Sequence, residues 1–328
     1  MSQKELSICI PTYNFGEFIG ATLKQVLTQS DPDRVETIVV DGASTDNTRE
    51  IVAEYQRNYP QLRYRCLERK GGIDKDLEET IAEATGRYCW LLSSDDYPVT
   101  GGIARILREV QSGHSIYLFN RIDCDREMNE MYRSPWLMSV IRNSVYDFSD
   151  PEQLTEYLEK SRHLGALFSY ISSIVVDRSL WQATKQDPSV MGSNYAHVLR
   201  LFRMAMAGNR VQYIADPLVK ARNFNDSFRK DGLARRFLID LDGYSLIAGH
   251  LFPEGEMKQR FNAVMRREHK WYYLAGLRNK VEDPSQWAEL RAKFSDFGFP
   301  FWQMAVVEHV GGSPKLMALL RRIAGTLR

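Results

Sequence analysis

The chain has 328 residues, of which 44% are hydrophobic and 26% charged, a composition typical of a folded globular protein. The formal net charge of +1 excludes the broad positive field that attracts nucleic acid, so no nucleic-acid partner is expected. No apolar run approaches the roughly 20 residues of a membrane span, and the first residues lack a signal-peptide pattern. We therefore expect a cytoplasmic protein.

Short apolar runs alternate with helical patterns over the first 120 residues. The helical patterns lie at roughly 16–30, 47–58, 74–85 and 102–112, and Asn47 with Glu50 resembles a capping box at the start of the second. This alternation predicts an α/β fold with a mostly parallel sheet flanked by helices and a ligand site at the carboxyl ends of the strands. The predicted strands are Leu6–Ile10, Thr37–Val40, Tyr64–Leu67, Tyr88–Leu92 and Ile116–Phe119.

The pattern changes after residue 120. We predict a helix from Asp150-Pro151, a strand at Phe168–Val176, a helix over about 194–207, and two short strands at Val211–Ile214 and Leu218–Val219. From about residue 229 the chain is helical in pattern. These changes predict two halves of one α/β unit at 1–120 and 121–228, followed by a helical region at 229–328.

Two loops that follow predicted strands suit contact with a ligand. The segment Pro11-Thr12-Tyr13-Asn14 follows the first strand, and a run of Gly, Ser and Thr follows Asp41 after the second. A carboxylate at a strand end can accept a hydrogen bond from a nucleoside, and glycine allows the backbone to approach a ligand. Ordinary turn and cap residues are the alternative interpretation of both loops.

The fourth predicted strand, Tyr88–Leu92, runs toward the adjacent carboxylates Asp95 and Asp96. Two carboxylates at the rim of a sheet repel each other unless a cation neutralises them. Oxygen ligands suit Mg²⁺ or Mn²⁺, with substrate phosphates completing the coordination shell. The alternative is a solvated acidic turn.

Taken together, these segments resemble the family 2 glycosyltransferases of the GT-A fold. The resemblance rests on Pro11–Asn14, Val39–Asp46, Ala84–Tyr88 and Ser93–Asp96, which occur in the family's order. The run Gly71-Gly72-Ile73-Asp74-Lys75-Asp76 with Tyr88-Cys89-Trp90 further resembles the abequosyltransferase-like branch, whose members build bacterial surface polysaccharides on a lipid-linked intermediate.

The resemblance implies a nucleotide-diphosphate sugar donor, a divalent metal and a glycan or lipid-linked saccharide acceptor. It assigns the metal to Asp95 and Asp96, although Ser93 replaces the first Asp of the usual motif. The residues expected to bind the donor are Pro11, Thr12, Tyr13, Asp41, Lys70, Gly71, Gly72, Asp74, Asp95 and Arg222. For Arg222, a structural ion pair is the alternative interpretation.

Family 2 enzymes invert the anomeric centre and need a general base, which is usually supplied by a Glu-Asp pair. Ser193 and Asn194 occupy those positions here. We expect His197, which shares a helical face with Asn194, to act as the base while Asn194 orients it or the acceptor. A buried histidine satisfied by a neighbour is the alternative.

The last residues, 313–328, have the pattern of a basic amphipathic helix. Leu316, Leu319, Leu320, Ile323 and Leu327 fall near one face. Such a helix can lie on an anionic membrane surface, where a lipid-linked acceptor would be reached, or it can pack on the protein core. A homodimer through the C-terminal helices is a further expectation.

Two other functions compete with sugar transfer. A non-catalytic nucleotide- or glycan-binding module of the same fold would explain the missing Asp at Ser93 and the missing Glu-Asp pair. A nucleotidyltransferase usually carries a Gly-rich basic loop after the first strand, and Pro11–Asn14 has neither property. A dinucleotide-dependent oxidoreductase is disfavoured because no GxGxxG motif occurs.

Overall fold

A computed structural model describes residues 3–140, 142–225 and 232–326, with the backbone alone for 321 and 323–326. Two compact units divide the chain, the first spanning Met1–Asn225 and the second Asp226–Arg328. The first unit contains both predicted halves, 1–120 and 121–228, as far as residue 225, and one sheet runs through both of them.

The first unit is built on a ten-stranded mixed sheet. The strands are β1 (Leu6–Thr12), β2 (Val35–Asp41), β3 (Leu62–Cys66), β4 (Tyr88–Leu91), β5 (Tyr97–Pro98), β6 (Ile116–Cys124), β7 (Glu130–Ser134), β8 (Ser144–Tyr146), β9 (Ile174–Asp177) and β10 (Val211–Arg222). Their order in the sheet is β3-β2-β1-β4-β9-β6-β10-β5, with β7 beside β6 and β8 beside β10. Neighbours β3, β2, β1 and β4 are parallel, whereas β9 runs antiparallel to β4 and to β6.

Seven helices of the first unit are α1 (Gly16–Gln29), α2 (Thr48–Gln56), α3 (Ile73–Ala82), α4 (Gly102–Glu109), α5 (Pro151–Lys160), α6 (Arg178–Ala183) and α7 (Ala196–Met206). Every residue of β1, β2 and β4 is buried, which explains why these segments read as continuous apolar runs. At the centre, the ring of Trp90 meets that of Phe119 edge-on at 5.3 Å. The predicted α/β fold with helices flanking the sheet is confirmed.

The strand predicted at Phe168–Val176 is wrong over its first part. Only Ile174–Asp177 is a strand, and short 3₁₀ turns occupy Leu164–Leu167 and Ile171–Ser173. Phe168 between them has a left-handed φ of 61°, which breaks an extended chain. The apolar residues of this segment are buried although they form turns packed on the sheet. An apolar run in the sequence therefore did not by itself imply a strand.

The two short strands predicted around Asp216-Pro217 are one strand, β10. Its pairing with β6 shifts register on either side of Pro217. Because proline lacks a backbone N–H, it interrupts the ladder locally without ending the strand.

The predicted capping box at the second helix is also corrected. Asn47 precedes the helix as predicted, but its side chain makes no capping hydrogen bond. Asp46 takes that part: its Oδ1 accepts from the Thr48 backbone N–H at 3.1 Å, and its Oδ2 accepts from the Gly16 N–H at 2.9 Å. Asp46 therefore ties the starts of α1 and α2 together.

The second unit is helical, as predicted for 229–328. Its helices are α8 (Leu233–Leu251), α9 (Glu256–Glu268), α10 (Trp271–Lys280), α11 (Pro284–Asp296), α12 (Phe301–Gly311) and α13 (Pro314–Thr326). Among the helices of the described ranges, none has both the length and the apolar character needed to cross a bilayer.

The C-terminal helix differs from the predicted amphipathic pattern. Among the side chains of this helix that the structure describes, Met317 is buried, whereas Leu319, which was expected on the apolar face, is 54% exposed. The side chain of Ile323 and the whole of Leu327 lie outside the described part of the chain.

Candidate functional site

The carboxyl ends of β1, β2 and β4 bring the three predicted motifs to one edge of the sheet. Thr12 pairs with Asp41 in the parallel register of β1 and β2. The loops that follow are joined, because Asn14 Oδ1 accepts from the Thr45 N–H at 2.7 Å and the Asn14 N–H donates to Ser44 Oγ at 2.8 Å. Two of the sequence motifs therefore form one rigid wall.

Four of the predicted nucleoside residues lie along this wall. Pro11 and Thr12 are buried within β1, and the hydroxyl of Thr12 has no hydrogen-bond partner among the described residues. Tyr13 is half-buried, and the ammonium group of Lys70 lies 4.2 Å from the centre of its ring. A cation over an aromatic face is a favourable contact, and it places the loop after β3 beside the loop after β1.

Asp41 is buried and already accepts two hydrogen bonds from the protein. Its Oδ1 accepts from the Ser44 N–H at 2.8 Å, and its Oδ2 accepts from the Tyr64 hydroxyl at 2.7 Å. Burial and this contact raise the pKa of Tyr64 well above its usual value. Each carboxylate oxygen keeps a second lone pair, so Asp41 is fixed in position and can still accept from a ligand.

Asp95 lies at the end of the third motif and is 9% exposed. Its Oδ1 accepts from the Ser93 hydroxyl and its Oδ2 from the Asn225 amide. Burial raises the pKa of Asp95, while the bonds from Ser93 and Asn225 and the Arg222 cation oppose that rise. Ser93, which replaces an Asp of the usual motif, thus acts as a donor to Asp95.

Asp96 is buried more deeply and is held from three directions. Its Oδ2 accepts from the hydroxyls of Tyr170 and Ser172, and its Oδ1 accepts from the Arg222 backbone N–H at 2.9 Å. Burial and the negative charge of Asp95 raise the pKa of Asp96 to about 7. Two adjacent carboxylates are therefore held in place at a cost that a cation would offset.

The described residues fit a divalent cation that shares its ligands with a substrate. They contain no cluster of three or more His, Cys, Asp or Glu side chains that could hold a metal. Mg²⁺, however, is commonly bound by one or two carboxylates together with waters and substrate phosphates. The pair Asp95 and Asp96 supplies that smaller set.

Arg222 is the last residue of β10 and lies beside the Asp95–Asp96 pair. Its Nε donates to the Asp95 carbonyl at 3.2 Å, its Nη1 donates to the Arg126 carbonyl, and its guanidinium lies 4.8 Å from the centre of the Phe18 ring. These contacts hold a planar cation close to two carboxylates. The arrangement suits an anionic group such as a diphosphate.

The loop after β3 divides into two parts with different roles. Lys70 and Gly71 are exposed, and Gly72 has a φ of 81° where it precedes α3. Asp74, which was predicted to face the donor, is buried, and its carboxylate accepts hydrogen bonds from the backbone before α7. Its Oδ2 accepts from the N–H groups of Gly192 and Asn194, and its Oδ1 from that of Ala196, at 2.9–3.1 Å. Because the backbone before α7 uses both oxygens, Asp74 anchors that loop.

His197 is not placed as a base would be. It is 3% exposed, and its Nε2 hydrogen-bonds the Phe168 carbonyl at 3.0 Å, so the ring is a donor at that atom. Burial lowers the pKa of His197 to about 4. The other ring nitrogen, Nδ1, is also buried and has no partner among the described residues. This geometry fits the alternative of a structural histidine.

Asn194 lies in the loop that Asp74 anchors. It has a left-handed φ of 69° and its side chain is half-buried. Asparagine tolerates this conformation better than most residues. The side chain therefore stands at a fixed turn ahead of α7, while the ring of His197 points into the core.

Four polar residues of this edge were missed by the sequence reasoning. Tyr170, Ser172 and Asn225 hold the Asp95–Asp96 pair, and Asp76 lies beside Asp41. Tyr170 and Ser172 lie in the segment that was predicted to be a strand throughout, and that prediction did not indicate a contact with Asp96. Asp76 lies two residues after Asp74, in the run Gly71–Asp76 that carries the resemblance, but the sequence reasoning gave it no role.

Comparison with known proteins identifies the class of this site. Residues 7–162 match the family model described as "Glycosyl transferase family 2". The abequosyltransferase RfbV of Salmonella typhimurium is 33% identical over 275 residues, which cover 82% of each chain. A putative teichuronic acid biosynthesis glycosyltransferase, TuaG of Bacillus subtilis, is 36% identical over 91 residues, or 28% of this chain and 36% of TuaG.

Solved structures share the fold. TarS of S. aureus in complex with UDP-GlcNAc superposes with a TM-score of 0.64 at 16% identity, covering 92% of this chain and 83% of TarS. A mannosyltransferase of Pyrobaculum calidifontis with GDP-Man and Mn²⁺ gives a TM-score of 0.52 at 18% identity, covering 99% of this chain and 81% of that one.

Proposed function

The chain belongs to glycosyltransferase family 2, and we propose that it moves a deoxysugar from a nucleotide-diphosphate donor to an acceptor hydroxyl, with inversion, in the synthesis of a bacterial surface polysaccharide. The observation that carries this proposal is the similarity to an abequosyltransferase across 82% of both chains.

The donor would bind along this edge. Thr12, Tyr13 and Asp41 would contact the nucleoside, since they line the wall formed by the loops after β1 and β2. Arg222 would contact the diphosphate, because its guanidinium is held beside the carboxylate pair. The fixed hydrogen bonds at Asp41 and Asp96 mean that these groups are positioned before the donor arrives, which reduces the entropy lost on binding.

Asp95 and Asp96 would hold Mg²⁺ or Mn²⁺ together with the diphosphate. Such a cation would neutralise charge on the leaving nucleotide diphosphate. Two features of the chain support this assignment: both carboxylates are buried next to each other, and burial raises the pKa of each, so a cation would favour their ionised forms.

The acceptor would be a glycan or a lipid-linked saccharide at the inner face of the cytoplasmic membrane. The second unit exposes aromatic side chains at Tyr272, Tyr273, Phe301 and Trp302, the last being 65% exposed. Aromatic residues favour the membrane interface.

Membrane contact is tested by flotation. We expect the protein to float with vesicles that contain anionic lipid, and to float less after the double change Phe301→Ser and Trp302→Ser. Self-association without flotation, seen by sedimentation, would instead favour a homodimer.

Sugar transfer is tested by turnover. The protein is incubated with labelled nucleotide sugars, Mn²⁺ and a lipid-linked saccharide fraction, and transfer of label is followed with release of nucleoside diphosphate. Transfer of one sugar by the wild type would support the proposal. Nucleotide binding without transfer from any donor would favour the non-catalytic binding module.

A further inference from the structure

A buried carboxylate with an unused oxygen lies beside the predicted nucleoside wall. Asp76 is in the first turn of α3 and is 4% exposed. It is enclosed by two glycines, one after β2 and one after β3. A Cβ at Gly42 would lie 2.6 Å from Asp76 Oδ2, and a Cβ at Gly71 would lie 2.9 Å from Asp76 Oδ1. A side chain at either position would displace the Asp76 carboxylate from where it lies, so the two glycines leave room for it.

The Oδ1 atom of Asp76 makes no hydrogen bond of ordinary geometry among the described residues, although the nearby Gly71 N–H lowers the pKa of this carboxyl. A buried acceptor without a donor costs free energy, and native proteins rarely leave one unless it serves a ligand, water or ion. Lys75 and Lys70 lower the pKa of Asp76 through their charge. The group is therefore buried near two cations with acceptor capacity to spare.

The neighbouring carboxylate of Asp41 differs from that of Asp76 in its hydrogen bonds. Both oxygens of Asp41 accept from protein donors, namely the Ser44 N–H and the Tyr64 hydroxyl. Burial and, to a lesser degree, the charge of Asp41 raise the pKa of Asp76 to about 6. Gly71 is exposed, so the carboxylate lies beneath a strip of surface that has no side chain, at the edge where the nucleoside is proposed to bind.

We propose that Asp76 selects the base of the donor nucleotide by accepting a hydrogen bond from an exocyclic amino group. This inference rests on the proposed function. An ionised carboxylate can only accept hydrogen bonds, so at the exocyclic position it favours cytosine, which carries an amino group, over uracil or thymine, which carry a carbonyl oxygen there. Adenine and guanine also carry amino groups, and the experiment separates them from cytosine.

The test is a calorimetric titration of CDP, UDP, ADP and GDP into the full chain with Mn²⁺ at pH 8, where Asp76 is ionised. For the wild type we expect at least one amino-bearing nucleotide to bind about tenfold or more tightly than UDP. In Asp76→Asn, whose amide can also donate, we expect the preference to fall to about threefold or less. The matched control is Glu79→Gln, which removes one negative charge from the exposed side of the same helix and should leave the preference unchanged.

Each other outcome is informative. Equal binding of all four nucleotides by the wild type, or a preference that survives Asp76→Asn, would overturn the inference while leaving the donor site intact. An equal weakening of all four nucleotides in Asp76→Asn would point to a ribose contact and would also overturn it. Absence of binding by the wild type would overturn the proposed function itself. A preference for ADP or GDP that Asp76→Asn abolishes would support the inference with a purine as the base.

Discussion

The backbone N–H of Arg222 donates to Oδ1 of Asp96 at 2.9 Å and joins residues 126 positions apart in the chain. This bond brings the end of β10 to the carboxylate pair after β4. It makes the edge of the sheet a single site, because one strand end supplies the buried charges and the other supplies a guanidinium cation.

Loss of either carboxylate should nearly abolish transfer. We expect Asp95→Asn and Asp96→Asn each to lower turnover by about a hundredfold or more, the range seen when one group that stabilises developing charge is removed. Release of nucleoside diphosphate from the donor is the measurement. Asp216→Asn is the matched control, since Asp216 is exposed and pairs with Arg105 away from the pair. Turnover within a factor of about three in Asp96→Asn would contradict the assignment.

Asp74 should be required for the order of the loop before α7. Asp74→Ala removes the acceptor of three backbone N–H groups, and each hydrogen bond to a charged group is worth about 1.5–3 kcal/mol. We expect the free energy of unfolding to fall by about 3 kcal/mol or more, with a smaller loss in Asp74→Asn, which keeps one acceptor oxygen. Hydrogen exchange at the amides of Gly192, Asn194 and Ala196 should become faster. Unchanged exchange at these amides would show that Asp74 does not anchor the loop.

His197 should matter for stability and hardly at all for chemistry. We expect His197→Ala to lower the free energy of unfolding by about 2–3 kcal/mol at pH 7.5, because it leaves a cavity and an unpaired Phe168 carbonyl. Turnover per folded molecule should stay within about threefold. A stable His197→Ala variant that had lost turnover would restore His197 as the base.

The same residue predicts a pH dependence. Burial lowers the pKa of folded His197 to about 4 from its usual 6.5, so the unfolded chain binds more protons between those values. The stability that neutral His197 contributes is present above pH 6.5 and is lost as the pH falls toward 4, by at most about 3 kcal/mol. Chemical denaturation at pH 7.5 and pH 5 should show a smaller loss in His197→Ala than in the wild type. Equal losses in both proteins would contradict this.

Arg222 should act on donor affinity. We expect Arg222→Gln to weaken binding of a nucleoside diphosphate by about tenfold to a hundredfold, because a charge-assisted contact with an anion is lost. Binding of the uncharged nucleoside should change much less. If both ligands weakened equally, the effect would come from the lost contacts with Phe18 and the Asp95 carbonyl.

The sheet was predictable because its strands are buried on both faces. Such strands appear as continuous apolar runs, and the polar residues that follow Ile10, Val40 and Leu92 are then easy to place at one edge. The supporting hydrogen bonds were less accessible. Tyr170 and Ser172 reach Asp96 only because residues 164–173 form turns, which apolar content cannot distinguish from a strand.

The roles of Asp74 and His197 depended on how deeply their side chains are buried, and the spacing of residues in the sequence does not give burial. The shared helical face predicted for Asn194 and His197 does not exist, because α7 begins at Ala196, and residue spacing did not show that the ring of His197 points to the core. Asp74 similarly had the right neighbours in sequence, and its partners at 192–196 were about 120 residues away.

The most direct test of the donor site is a calorimetric titration of the wild type and Asp95→Asn with a nucleoside diphosphate, first with Mn²⁺ and then with a chelator. The wild type should bind at least one nucleoside diphosphate, and removal of the metal or of the Asp95 carboxylate should each weaken that binding by about tenfold or more. Failure of the wild type to bind any nucleoside diphosphate, or equal binding by Asp95→Asn, would contradict a donor site at this edge of the sheet.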